Sequence, residues 1–100
     1  MKRVYDVKHR IWASAIRYRF GDKCVVCGAT NYLSAHHLIP WEVEKFRFDY
    51  NNGIPLCPLH HTRYGHGLSP HSDGSILFAM FLQEKFPKIL KWVLEKFDDI

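Results

Sequence analysis

Two short pairs with metal-ligand spacing limit what this chain can fold into more than anything else in it. Cys24-x-x-Cys27 lies in CVVCG, and Cys57-x-x-His60 follows in LCPLHH. Three thiolates and one imidazole make a complete tetrahedral set for zinc. Each pair sits on a tight turn, so both of its ligands can reach one ion. The alternative, small buried hydrophobes with a surface histidine, does not explain why the spacing occurs twice. A closed set of this kind is structural, and its binding energy is folding energy. Three cysteines cannot pair off completely, which makes a disulfide framework a poor account.

The chain has 100 residues, 47% of them hydrophobic and 15% aromatic. That is the size and composition of one globular domain. A core this small gains from a metal staple. No stretch approaches the ~18 uninterrupted apolar residues of a membrane helix. The start, MKRVYDVKHRIW, lacks a secretory signal pattern, so a cytoplasmic protein is expected.

The net charge of +4 is unevenly placed. Residues 1–23 carry seven basic side chains (Lys2, Arg3, Lys8, Arg10, Arg17, Arg19, Lys23) against Asp6 and Asp22, and the rest of the chain is near neutral. A cationic segment on a neutral body points to a polyanionic partner, nucleic acid first. The plainer reading is a merely solvated basic face.

Periodicity predicts a helix from Asp6, a possible N-cap, to about Phe20, stopped by Gly21. Val7, Ile11, Ala15 and Tyr18 form one row, and Trp12, Ile16 and Phe20 another. Arg10 and Arg17 share a face. Leu33 to Pro40 reads as extended, Trp41 to Tyr50 as a loop with a helical turn, and Ile54 to Leu56 as a short strand with Pro55 at an edge. A helix is expected from Pro58 to about Tyr64 and another over Ser75 to Lys85, buried all round between Ile76 and Leu82. A hairpin at Asp73-Gly74 is the alternative start for that run. A last helix follows Pro87, with Ile89, Leu90, Val93, Leu94 and Phe97 facing inward.

Four of the seven histidines lie between Leu33 and His61. His36 and His37 are adjacent on the expected strand and must point to opposite sides of it. His61 lies about 100° round the helix from His60 and so faces away from the zinc set. One strand histidine and His61 can therefore meet at a second metal. The other strand histidine is left as a base, for which a pKa of about 6.5 is suited.

AHHLIPW, NNGIPLC and HH, preceded by CVVCG, resemble the HNH endonucleases with the ββα-metal (His-Me finger) fold. The likeness covers about Cys24 to Gly67. It implies an α+β fold: a small ββα-metal core with a structural zinc, flanked by the N-terminal helix (residues 1–23) and a C-terminal helical part (68–100). It also implies DNA hydrolysis giving 5′-phosphate and 3′-hydroxyl ends. By the same resemblance His36 and His61 hold a catalytic divalent cation, His37 is the general base, and Asn52 orients that base. Magnesium or manganese is the expected catalytic ion, though an imidazole ligand also admits nickel or zinc. His60 stands where many members have cysteine, which leaves open whether His60 or His61 faces the zinc.

Arg10, Arg17 and Arg63 are the candidate DNA contacts. His66 and His71 are accessory candidates at most, His9 is taken as surface, and Trp41 and Tyr64 as packing. The tail FPKILKW resembles those of small phage-encoded HNH proteins, which implies a phage or bacterial setting. The competing function is a zinc-stabilised nucleic-acid-binding module that does not cut. A double-strand cut needs a dimer or two successive nicks. A monomer with one site most simply nicks.

Overall fold

The computed structural model describes residues 4–63 and 73–98. The elements are α1 (Val4–Arg19), β1 (Ser34–His36), β2 (Ile54–Leu56), α2 (Pro58–Arg63), α3 (Asp73–Lys85) and α4 (Pro87–Phe97), with one 3-10 turn at Glu44–Phe46. This is the expected α+β architecture.

At the start, α1 is helical from Val4, so Asp6 lies within it and is not its N-cap. It stops where expected, because Gly21 takes a positive φ of 75°. There the Gly21 and Asp22 amides return to the carbonyls of Tyr18 and Arg17, closing the helix end with a left-handed residue. Of the two apolar rows, only one is core. Trp12 and Ile16 are fully buried, while Val7, Ile11 and Tyr18 face solvent.

The sheet has two antiparallel strands, with Ser34 opposite Leu56, Ala35 opposite Pro55 and His36 opposite Ile54. Only three residues of the expected extended run pair as strand, and His37 falls just beyond it. All of β2 is buried. Trp12, Ala13 and Ile16 of α1 form one small apolar cluster with Ala35 and Phe48 against it. Cys24, Leu38, Ile54, Leu56, Phe78, Leu82 and Val93 belong to a second, larger cluster. Gly53, at the entry to β2, belongs to the first contact. A Cβ there would lie 2.7 Å from the Trp12 ring and 3.0 Å from Ile16.

The C-terminal helices depart from expectation in their facing. Asp73 and Gly74 are the first residues of α3 and form no hairpin. Along it Phe78 and Leu82 are buried, but Leu77 and Met80 are exposed. In α4, which has Pro87 in its first turn, Leu90 and Val93 are buried while Leu94 and Phe97 turn outward. In α3 the unbroken apolar run concealed this, because a helix of that composition offers no polar face to mark its outside.

Candidate active site and metal centre

The zinc-type pairs come together. Ligand atoms of Cys24, Cys27, Cys57 and His60 all lie within 4.8 Å of one another. Cys27 Sγ and Cys57 Sγ are 3.7 Å apart, Cys24 Sγ is 3.8 Å from His60 Nδ1, and Cys57 Sγ is 3.2 Å from it. Bonds of ~2.3 Å to sulfur and ~2.0 Å to nitrogen in a tetrahedron require edges of roughly 3.5–3.8 Å. The four side chains thus lie close to the spacing of a Cys3His zinc set, with Cys57 and His60 slightly nearer than an ion between them requires, and their thiols are free rather than bridged. His60, not His61, points to the three sulfurs.

The sequence builds this by two hydrogen-bonded turns. The Cys24 amide donates to the Ala29 carbonyl and the Gly28 amide to the Cys24 carbonyl. On the other side the His61 amide donates to the Cys57 carbonyl, setting Cys57 and His60 on one turn of α2. Val25 donates to the Pro55 carbonyl, which fastens the first turn to β2. Burial alone would raise the Cys24 thiol, but the backbone amides of Cys57, Cys27 and Val26 and the Cys27 thiol outweigh it and bring it down to about 6. For Cys27 the Ala29 amide works downward, yet desolvation and the neighbouring Cys57 and Cys24 sulfurs leave the net shift upward. Negative charge gathers on Cys24 first, as a cation-binding cluster requires.

On one side of the β1 end lie His36 and His61. His36 is buried, its ring edge-on to His61 with centroids 5.3 Å apart and to Phe78 of α3 at 5.8 Å. With metal–nitrogen bonds of about 2.1 Å, two imidazoles sharing an ion bring their centroids to roughly 5 Å. The centroid separation is compatible with one divalent cation taking a nitrogen from each ring. Among the described residues the Cys3His set is the one cluster of three or more metal-type side chains.

On the other side lies His37. Its Nε2–H donates to the Arg47 carbonyl at 2.8 Å, which leaves Nδ1 with the lone pair. Its ring lies flat on Trp12, with centroids 3.9 Å apart and planes 12° from parallel. Trp41 meets it edge-on at 5.5 Å, and His9 lies 6.0 Å away. Desolvation pushes the His37 imidazole below its ordinary value. The positive charges of His9 and Arg47 act the same way, while the Arg47 carbonyl and Glu42 oppose them.

Asn52 is fully buried but does not touch His37 in the manner expected. Its Oδ1 accepts from the Ile39 amide at 2.6 Å, and its Nδ2 donates to the carbonyls of Ile39 and Phe46. The carbonyl that orients His37 belongs to Arg47, next to Phe46. Asn52 therefore acts on the loop from Ile39 to Arg47, and the expected side-chain bond to the base is corrected to a backbone one. The reason is geometric: three buried backbone groups converge on Asn52 and use the capacity of its amide.

His9 also differs from expectation. It is half-buried among Trp12, His37 and Trp41, with Nδ1 fully buried and making no hydrogen bond. Its signal was legible: on α1 it lies three residues before buried Trp12, hence on the inner face. Trp41 packs as expected and also takes the Arg47 guanidinium over its ring at 4.4 Å. Arg10 is exposed, and Arg17 is half-buried with its guanidinium donating to the Ser14 hydroxyl. Arg19 donates to the Tyr50 carbonyl, joining the end of α1 to the loop before Asn52. The Arg63 side chain, Tyr64, His66 and His71 lie outside the described residues.

The sequence model of the HNH endonucleases matches residues 24–69. The chain belongs to this family. It is also 36% identical over 67 residues to anaredoxin of Nostoc sp. (strain PCC 7120), a stretch covering 66% of this chain and 84% of that protein. No solved structure matches. The family match spans both zinc-type pairs, His36, His37, Asn52 and His61, and leaves α1 outside it. Among the described residues no helix is long and apolar enough to cross a membrane.

Proposed function

We propose that this HNH protein is a metal-dependent DNA endonuclease or nicking enzyme. The observation that carries the reading is the placement of His37, with Nε2 anchored on the Arg47 carbonyl and Nδ1 left basic, one residue after His36, whose ring meets His61. His37 Nδ1 would take the proton from the attacking water, and the Arg47 carbonyl would steady the imidazolium that results. Asn52 keeps that carbonyl in place through Phe46 and Ile39. His36 and His61 would hold one divalent cation, whose chemistry when bound is to neutralise charge on the scissile phosphate and on the leaving 3′ oxygen. Two imidazole donors favour manganese over magnesium. Cys24, Cys27, Cys57 and His60 would hold zinc as a structural ion. Arg10, Arg17 and Arg63 are proposed to meet phosphates, and the cytoplasm of a bacterium or a phage-infected cell is the proposed setting.

The test is cleavage of supercoiled plasmid with manganese or magnesium, comparing wild type with His37→Ala. Removing a general base is expected to slow cutting roughly 10²–10⁴-fold, while zinc content and melting are unchanged. Undiminished cutting by folded His37→Ala protein would remove His37 from its role. Wild-type protein that binds DNA and leaves it intact would instead be a zinc-stabilised binding module.

A further inference from the structure

We propose that α1, which lies outside the family match, is part of the reactive centre, and that Trp12 is the positioning residue that fixes the plane of the His37 ring. The inference rests on His37 being the reactive base. Three independent ties converge on Trp12. Its indole covers one face of the imidazole at 3.9 Å with planes 12° apart, a near-parallel arrangement. Aromatic pairs mostly adopt edge-to-face or offset geometries, and the same imidazole meets Trp41 edge-on and His9 at a longer 6.0 Å.

The second tie is a hydrogen bond. Trp12 Nε1–H donates to the Asp49 carbonyl at 2.8 Å. Asp49 lies on the stretch between Arg47, whose carbonyl holds His37 Nε2, and Asn52, whose amide holds Phe46. One indole therefore touches the imidazole face and the segment that holds the imidazole edge. The third is Gly53, where a Cβ would come within 2.7 Å of Trp12. The backbone after Asn52 is thus left open for the indole.

An imidazole held by one hydrogen bond can still rotate about the axis through that bond. A flat surface against its face removes this freedom. With Nε2 on a carbonyl and one face on the indole, Nδ1 is aimed in a single direction. Any buried tryptophan needs an acceptor for its N–H, but not a parallel seat for a histidine.

The experiment compares Trp12→Leu and Trp12→Phe in the full chain. Leucine keeps apolar bulk without a ring, and phenylalanine keeps a ring without the N–H. Two readouts are taken: steady-state cleavage, and the proton NMR signals of the His37 ring, assigned by their loss in His37→Ala. In wild type those signals should lie upfield of ordinary histidine positions, because the ring sits over the indole face. Trp12→Leu should abolish the upfield displacement and lower kcat roughly 10²-fold, as misplacement of a reacting group by about 1 Å does. KM and zinc content should hold, and Trp12→Phe should recover most of both readouts.

Wild-type His37 signals at ordinary positions would overturn the proposal, even if Trp12→Leu does not fold. Equal kcat in a folded Trp12→Leu protein would overturn it as well. If wild type does not cut but the displacement is present and lost in Trp12→Leu, the seat is upheld and the nuclease reading alone falls.

Discussion

Asn52 has a single polar side chain and three buried obligations. Replacing it with alanine leaves the Ile39 amide and the Ile39 and Phe46 carbonyls to find other partners. Leaving buried groups unsatisfied costs about 1–3 kcal/mol each, with partial relief from water. Asn52→Ala is therefore expected to lower stability by about 2–4 kcal/mol in urea unfolding, and to slow cutting even where the protein is still folded. His37 yields a prediction of different sign. Its pKa is lowered, chiefly by desolvation, so the imidazole stays neutral, and able to accept a proton, further into acid than a free histidine. Activity should fall only as pH drops through that lowered value, placing the acid limb of kcat/KM below about 6.5. An acid limb clearly above that value would contradict the buried seat.

At the scale of elements, the two metal-type turns brace the short strands and α2 at one end of the core. Three-residue strands in a two-stranded sheet are marginal by themselves. Cys57→Ser should reduce zinc content and abolish cooperative melting, whereas His37→Ala should do neither. Equal zinc loss in both variants, measured by elemental analysis, would mean that the two sites are not separate. Much of this organisation was legible: both zinc-type pairs, β2 and the end of α1 follow from spacing, a proline and a glycine. The facing of α3 and α4 was not, because Leu77, Met80, Leu94 and Phe97 are apolar residues that lie exposed. Nor was the partner of His37: a backbone carbonyl such as that of Arg47 leaves no mark in a residue pattern, whereas an asparagine side chain does.

For the whole molecule, the charge asymmetry bears on how it meets DNA. Arg10 and Arg17 lie on α1, the same helix that carries Trp12 and His9 to His37. Arg10 is about 200° round α1 from buried Trp12, so a duplex held there would lie on the outer face of the helix that backs His37. Arg10→Gln with Arg17→Gln should weaken binding and flatten the slope of log affinity against log salt by up to about 2, if each meets one phosphate. An unchanged slope in fluorescence-anisotropy titrations would mean that this face of α1 looks away from the duplex.

His60 and His61 are consecutive residues on one turn of α2, one turned to the sulfur set and the other to His36. The zinc-type set and the proposed cation pair are thus held one peptide bond apart, so whatever disturbs that single turn reaches both.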